Sequence, residues 1–591
     1  MKLKTPILDC VEKYRNRMPA RFHTPGHQGA FSGGIFSGAS YDITELPFSD
    51  NLLCPSGVIA QSEKQAAEFY GASGTLFFTN GVTSAIFTAV ASAAALANGN
   101  GFTGKFNAGK HTEKSGAESR KKRLKILVGA NAHKSIFNAA AVCGMCPVFF
   151  ETRRDNYGYA LPPAVADIER AIKNLDRAGD ESLAAVVVTS PDYFGRCADL
   201  KGIYALLKPR GILLIADGAH GAHFAFGSML PSHAAGYADF AADGCHKTMP
   251  VYTGGAMLHC YGEKTLRAAE FYRAVFHSTS PNYTVLASID YAAARMAEDG
   301  EAAYGALYGR AVKLKTLAAS FGYAPREENE RGAEAEKDFL YYCENRRGAE
   351  RDFSRFMVDF SPRTAAEFRT ELERRNVYAE MYTKSLAVFI LSPYNLSAID
   401  RLEDALKEIK DGEKKKLFPA NSERVNADKR EEFPAGSERV NAGKRNIFPT
   451  GSEFAGADKK EEFSKNPECA EEREKNVFSV NITHSNATEN NIFTDNGTVA
   501  EQRVKDLDRC GFFDFSETEF VGLETCGGRI SASEIGAYPP GIPSVARGCL
   551  ITPGILEYLL ENKSGLFGLV GGKVAVFKTM KKSDGQGGTE P

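Results

Sequence analysis

The sequence carries no excess of charge of one sign. Its 72 lysines and arginines stand against 74 aspartates and glutamates in 591 residues, a formal net charge of -2. No global field therefore draws the chain onto nucleic acid or an anionic membrane, and a small-molecule partner is expected. No run of 18 or more apolar residues occurs, which argues against a transmembrane helix. Met1 to Cys10 lacks the apolar stretch and small-residue cleavage site of a signal peptide, so a cytoplasmic location is expected. Of the 12 cysteines only Cys143 and Cys146 stand close together, and without a second CxxC at zinc-site spacing no metal site is expected. The thiols read as reduced, many of them core residues.

What is present is an α/β pattern. From about Gly74 to Cys260, short β-rich apolar runs alternate with helix-like stretches, which predicts a mostly parallel sheet. The predicted strands are Thr75 to Phe78, Lys125 to Val128, Pro147 to Phe150, Ala185 to Thr189, Ile212 to Ala216, Asp239 to Ala242 and Ala256 to His259. After about Gly300 a smaller α/β unit is expected. Its strands are Phe356 to Phe360, Val377 to Met381 and Leu386 to Leu391, and its helices Thr364 to Arg375 and Ile399 to Ile409. Phe512 to Thr579 is again globular in composition. The organisation reads as an N-terminal arm (1–70), a large domain (71–300), a C-terminal domain in two parts (301–411 and 506–580) and a tail (581–591).

Between the two parts, at 412–505, lies a repeat. Phe418, Phe433, Phe448, Phe463, Phe478 and Phe493 recur every 15 residues. One phenylalanine per 15 mostly polar residues cannot offset ordering entropy, so disorder is expected; a Phe-spaced partner-binding array is the alternative. A second insertion, 99–123, holds seven basic residues and reads as a solvated Gly/Lys loop rather than an anion patch.

Four segments carry chemistry. Asp243-Gly244-Cys245-His246-Lys247-Thr248 follows a β-like run, and a lysine at a strand end can be desolvated and attack an aldehyde. Most lysines are surface charges, so the motif alone is weak. Asp217-Gly218-Ala219-His220-Gly221-Ala222-His223 ends a buried strand; its acid could hold a pyridine nitrogen protonated, or simply cap a loop. Phe78-Thr79-Asn80-Gly81-Val82-Thr83-Ser84 passes from a strand into a small-residue helix whose start can cradle a phosphate, although such turns are common. Asn131-Ala132-His133-Lys134-Ser135 places an imidazole where it could stack on a ring, or be a plain polar residue.

Taken in this order, the segments resemble the ornithine/lysine/arginine decarboxylase family, fold-type I pyridoxal-phosphate enzymes. Phe22-His23-Thr24-Pro25-Gly26-His27, Asp42-Ile43-Thr44-Glu45-Leu46-Pro47, Ser278-Thr279-Ser280-Pro281-Asn282-Tyr283 and Tyr538-Pro539-Pro540-Gly541-Ile542-Pro543 add to the likeness. It extends over nearly everything but the two insertions. It is strongest to the smaller, arginine-decarboxylase-like members without an N-terminal wing domain, because the TPGH motif begins only about two dozen residues in. The resemblance implies a large fold-type I domain with a smaller C-terminal α/β domain, and pyridoxal 5'-phosphate as cofactor. Lys247 would hold the cofactor as a Schiff base, Asp217 would pair with the pyridine nitrogen and His133 would stack on the ring. Ala219 would lie on the opposite face and His220 near the ring hydroxyl, with Thr83, Ser84 and His246 on the phosphate beside Gly81. It further implies decarboxylation of arginine, lysine or ornithine by a homodimer or an assembly of dimers. Another reaction on the same cofactor, and a degenerate non-catalytic subunit, are the rival readings. Family members usually have Glu at Gly218, Ser at Gly244, Gln at Gly254 and Pro-Gly-Glu at Arg547-Gly548-Cys549. Those departures suggest weaker phosphate and basic-side-chain recognition.

Overall fold

The computed structural model describes residues 3–29, 35, 37–98, 123–179, 182–326, 351–417, 518–537 and 542–578. The basic loop except Arg123, the repeat tract beyond Leu417, Tyr538 to Gly541 and the tail from 581 lie outside them.

Two helices come first, α1 (Pro6–Asn16) and α2 (Val58–Tyr70). Pro6 opens α1, where its missing N–H would have no helical partner anyway. The carboxylate of Asp290 accepts from Ile7 N and Leu8 N at 3.0 and 3.3 Å, which satisfies two of the free donors there. Asp50 serves α2 in the same way, accepting from Gly57 N, Ile59 N and Ala60 N. Ile7, Val11, Leu52 and Ile59 join one core cluster with Leu286 and Ile289.

The central sheet is built from β1 (Gly74–Phe78), β2 (Lys125–Gly129), β3 (Cys146–Phe150), β4 (Leu183–Thr189), β5 (Leu213–Gly218), β6 (Phe240–Asp243) and β7 (Ala256–Cys260). Its spatial order is β1-β7-β6-β5-β4-β2-β3. The five strands from β3 to β6 run parallel, while β7 is antiparallel to both of its neighbours. All seven predicted strands are present, with ends within two residues of those expected.

Interleaved with them are α3 (Gly81–Ala97), α4 (Lys134–Val142), α5 (Val165–Arg177), α6 (Leu200–Leu207), the single turn α7 (Cys245–Thr248) and α8 (Glu263–Phe276). Alternation along the strands feeds two cores. Ile126, Val128, Val187 and Ile215 face one side with Ile86, Val90 and Ile136, whereas Leu127, Val186, Val188 and Leu214 face the other with Ile168 and Ile203. Truncating one of these fully buried branched residues to Ala costs about 2–5 kcal/mol.

Helix α9 (Tyr283–Ser320) runs 38 residues, about 57 Å at 1.5 Å per residue. The expected domain boundary at 300 falls inside it. Gly300 is a close-packing position there rather than a break, since a Cβ would meet Phe226 O at 2.7 Å.

Beyond it, β8 (Arg355–Asp359), α10 (Ala365–Glu373), β9 (Met381–Tyr382), β10 (Leu386–Ile390) and α11 (Leu396–Leu417) form the smaller unit, with an antiparallel β8-β10-β9 sheet. The strand expected at Val377 to Met381 shrinks to Met381–Tyr382. Val377 N is committed to Leu372 O at the end of α10, and Asn376 turns the chain with φ 54°. Helix α11 also runs to Leu417, so the first residues assigned to the repeat tract are helical. A last cluster, with Leu523, Val545, Ile551, Leu559 and Val576, gathers β11 (Thr518–Gly522), α12 (Pro553–Glu561) and β15 (Lys573–Phe577), between which lie the short strands β12 (Gly536–Ala537), β13 (Leu566–Phe567) and β14 (Leu569–Val570). No helix among the described residues is long and apolar enough to cross a membrane.

Candidate active site

The carboxyl ends of β4, β5 and β6 lie side by side, with Thr189 in register with Asp217 and Asp217 with Ala242. In parallel sheets such an edge is where ligands collect. Asp217 is the last residue but one of β5, His220 follows in the next loop, and Lys247 sits in α7 just after β6. His133 is the N-cap of α4, with its Nδ1 accepting from Ser135 N at 3.2 Å. Gly81, Thr83 and Ser84 lie in the first turn of α3, and Gly81 N donates to Gly254 O at 2.7 Å.

These segments also approach one another closely at three glycines. A Cβ on Gly244 would lie 2.3 Å from Ala219 O and 3.1 Å from Val82 Cγ2. One on Gly218 would lie 2.4 Å from Asp243 Oδ1, and one on Gly254, whose φ is +99°, would lie 2.6 Å from Thr79 O. The three glycines that depart from the family pattern therefore occupy positions with no room for a side chain in this chain. At these positions the start of α3, the Asp217 loop and the Lys247 turn approach one another closely.

The electrostatics are those of a reactive site. Asp217 is 3 % exposed, and its carboxylate receives a 3.3 Å hydrogen bond from Ala219 N. Burial pushes its carboxyl up, against the pull of Lys247. Lys247 Nζ lies 3.2 Å from His220 Nε2. Burial pulls the amine down; Asp217 opposes this and Arg355 adds to it. His133 is lowered to about 4 by burial and by Lys247 and Lys134, so its ring is neutral at pH 7. His220 is lowered further by burial, then by Lys247 and Arg355. His246 places Nδ1 2.9 Å from Gly255 O, so in the neutral ring Nδ1–H donates and Nε2 gives a hydrogen bond to phosphate only once protonated.

Several buried polar atoms around this edge have no partner among the described residues: Asn131 Nδ2, Thr189 Oγ1, Thr248 Oγ1 and His223 Nδ1. Such atoms are rare in finished protein cores. Together with an amine, a poorly solvated carboxylate, a neutral imidazole and a helix start, they form a donor set that fits pyridoxal 5'-phosphate. A cavity of 110 Å³ adjoins Lys247, lined by His223, Thr248, Tyr304, Ser354 and Ser392 among others.

Cys549 is placed elsewhere, half-buried against the last core cluster, and is not among the residues lining this cavity. Arg355, Tyr193 and the His223–Asp352 pair were not assigned a role from the sequence. Arg355 Nη2 lies 2.8 Å from His220 Nδ1, Tyr193 packs its ring 4.5 Å from that of His220, and His223 Nε2 is 3.2 Å from Asp352 Oδ2. Arg355 lies just ahead of the strand expected from Phe356, and nothing in the sequence sets it apart from other charged residues at strand ends.

Comparison with known proteins bears on family and fold. The model of the Orn/Lys/Arg decarboxylase major domain matches residues 5–102 and 117–329. The arginine decarboxylase of Bacillus subtilis is 30% identical over 309 residues, which are 50% of this chain and 56% of that protein. An uncharacterised protein of the same organism is 29% identical over 305 residues, 49% of this chain and 56% of its own length. The matched stretch thus spans little more than half of those relatives. Among solved structures, a lysine decarboxylase from Pseudomonas aeruginosa superposes with a TM-score of 0.63 at 18% identity, covering 97% of this chain and 80% of its own. The lysine decarboxylase of Francisella novicida gives 0.60 at 17%, covering 97% and 81%. At these identities the superpositions bear on fold, which is that of the fold-type I decarboxylases. With more than half of its residues matched by the family model, the chain belongs to the ornithine/lysine/arginine decarboxylase family.

Proposed function

We propose that this protein is a pyridoxal-5'-phosphate-dependent decarboxylase that converts arginine, lysine or ornithine into the amine and carbon dioxide. The observation that carries the reading is Lys247: a partly buried amine at a parallel-strand end, in contact with His220 and within the field of the buried Asp217. When bound, the cofactor supplies an aldehyde and a ring that accepts electrons. Lys247 would hold the cofactor through its amine. Asp217, poor in hydrogen-bond donors, would keep a proton on the pyridine nitrogen. His133 would cover the ring as a neutral imidazole, and the first turn of α3 would receive the phosphate. Burial of Asp217, His220 and Arg355 lowers the local dielectric, which strengthens each of these interactions.

Recognition of a basic side chain is expected to be weak. Gly218 leaves no space for a carboxylate, and Cys549 packs in a different cluster. A KM for arginine toward or above the upper end of the usual range of about 1 μM to 1 mM follows. Carbon dioxide release measured over a panel of amino acids tests both statements. No release from any amino acid by a yellow, cofactor-loaded protein removes the decarboxylase reading, and a low-micromolar KM for arginine removes the weak-binding one. We also infer a homodimer, supported by Met18, Phe22 and Ile35, whose large apolar side chains are about nine-tenths exposed. Sedimentation at the monomer mass would contradict it.

A further inference from the structure

Arg355 opens β8 and is 4 % exposed, yet its guanidinium reaches across to the loop that follows β5. A guanidinium has donors only, so His220 Nδ1, 2.8 Å from Arg355 Nη2, must accept. The ring hydrogen of neutral His220 is therefore on Nε2. That Nε2–H faces Lys247 Nζ at 3.2 Å, and an amine can accept a hydrogen bond only when it is uncharged. We infer that Arg355 is a positioning residue that fixes the tautomer of His220 and, through it, holds Lys247 as the free amine. This rests on the reading of Lys247 as the residue that condenses with the cofactor's aldehyde, a step that requires the uncharged amine.

Two more observations support the assignment. Arg355 Nε and Nη1 are buried without hydrogen-bond partners, and its charge bears both on the buried carboxylate of Asp352 and on Lys247. The groups that bear on Lys247 are Asp217 from β5, Glu380 ahead of β9, Arg355 from β8 and the imidazoles of His133 and His220, with His223 lining the same cavity. Asp217 and Glu380 favour the ammonium form; burial and Arg355 oppose them. Were Arg355 absent, His220 could take the other tautomer and accept from a charged Lys247, so the link is a switchable hydrogen bond held in one state.

The test needs no turnover. The full-length chain, freed of cofactor, is treated with cyanate from neutral to alkaline pH. Carbamylation of Lys247 is read by peptide mass spectrometry, with exposed Lys201 as internal reference. Arg355→Met is expected to raise the Lys247 midpoint by about one unit and to leave Lys201 unchanged; Arg355→Lys, which keeps donors and charge, is expected to restore it. His220→Phe removes the link from the other side and is expected to raise the midpoint as well, deciding the matter alone should Arg355→Met fail to fold. Wild-type midpoints in the folded variants would overturn the assignment. A purely structural role would lower melting temperatures without moving the midpoint. Failure of the wild type to bind cofactor or release carbon dioxide would remove the functional reading while leaving this titration intact.

Discussion

Asp243 and Lys247 lie four residues apart at the end of β6, and the buried groups around them are arranged on opposite principles. Asp243 Oδ2 is 2.6 Å from His233 Nε2 and 3.3 Å from His259 Nε2, and the Tyr70 ring packs on both imidazoles. Burial alone would raise its carboxyl, but the two histidines outweigh that and hold it well below the ordinary carboxylate range. The three donor atoms converge as cation ligands would. Ala235 N, however, donates to His233 Nδ1 at 3.1 Å, so in the neutral ring Nε2 carries the hydrogen and has no lone pair for a metal. In this cluster the two imidazoles balance the carboxylate, although His259 Nε2 is left without a well-formed hydrogen bond. Around Lys247 the carboxyl of Asp217 is pushed up, the amine is pulled down and guanidinium N–H groups are left over. Burying polar groups is common to both clusters; the second leaves more of them mismatched, and mismatch is what a ligand can resolve.

The contrast is broken most severely at its two centres. Lys247→Ala should lower activity by about 10³-fold or more, because no neighbouring amine replaces it, and should leave the urea midpoint nearly unchanged. Residual activity within tenfold of wild type would assign the cofactor to another lysine. Asp243→Asn should do the reverse, costing about 3 kcal/mol of stability, because two buried imidazoles lose their anionic partner. Equal urea midpoints for this variant and wild type would show that the Asp243 cluster is not structural.

A third carboxylate sharpens the comparison through pH. Asp352 is fully buried, which by itself raises its carboxyl; His223 and Arg355 reverse this and bring it from 3.8 to about 2. A group with a depressed folded value stabilises the fold above its unfolded value. The contribution, about 2 kcal/mol, is therefore complete above about pH 5 and is lost as the pH falls through 3.8 toward 2. Urea midpoints of wild type and Asp352→Asn should converge across that window. Parallel curves would mean that Asp352 does not carry this dependence.

Much of this was legible in the sequence. The strands announced themselves because runs such as Ala184-Ala185-Val186-Val187-Val188 are buried on both faces of a parallel sheet. Lys247, Asp217 and His133 were legible as a set, since each follows a strand and chemistry gathers at strand ends. The direction of β7 was not, because hydrophobic periodicity is blind to polarity along the chain. Nor was Arg355, which reaches His220 from 135 residues away by tertiary packing alone. The glycines were misleading for a related reason: a substitution shows which atoms were lost, but only the fold shows whether there was space for them.

Gly244 turns that last point into the smallest of the expected effects. Read from the sequence, it is a missing phosphate hydroxyl, and Gly244→Ser should tighten cofactor binding. In the fold, a Cβ there would lie 2.3 Å from Ala219 O, a backbone atom in the loop that carries His220, and 3.1 Å from Val82 Cγ2 at the start of α3. Neither neighbour is the flexible end of a long side chain, so one or both segments must shift. Gly244→Ser is therefore expected to cost about 1–2 kcal/mol, in the range of modest overpacking, and to weaken cofactor binding or leave it unchanged. Melting curves and a titration with pyridoxal 5'-phosphate measure the two effects on the same sample. Tighter binding at an unchanged melting temperature would show that the site had room all along and that the serine was simply lost. The expected pair, lower stability without tighter binding, would show that the start of α3 and the Asp217 loop pack too closely around position 244 for the serine that family members usually have there.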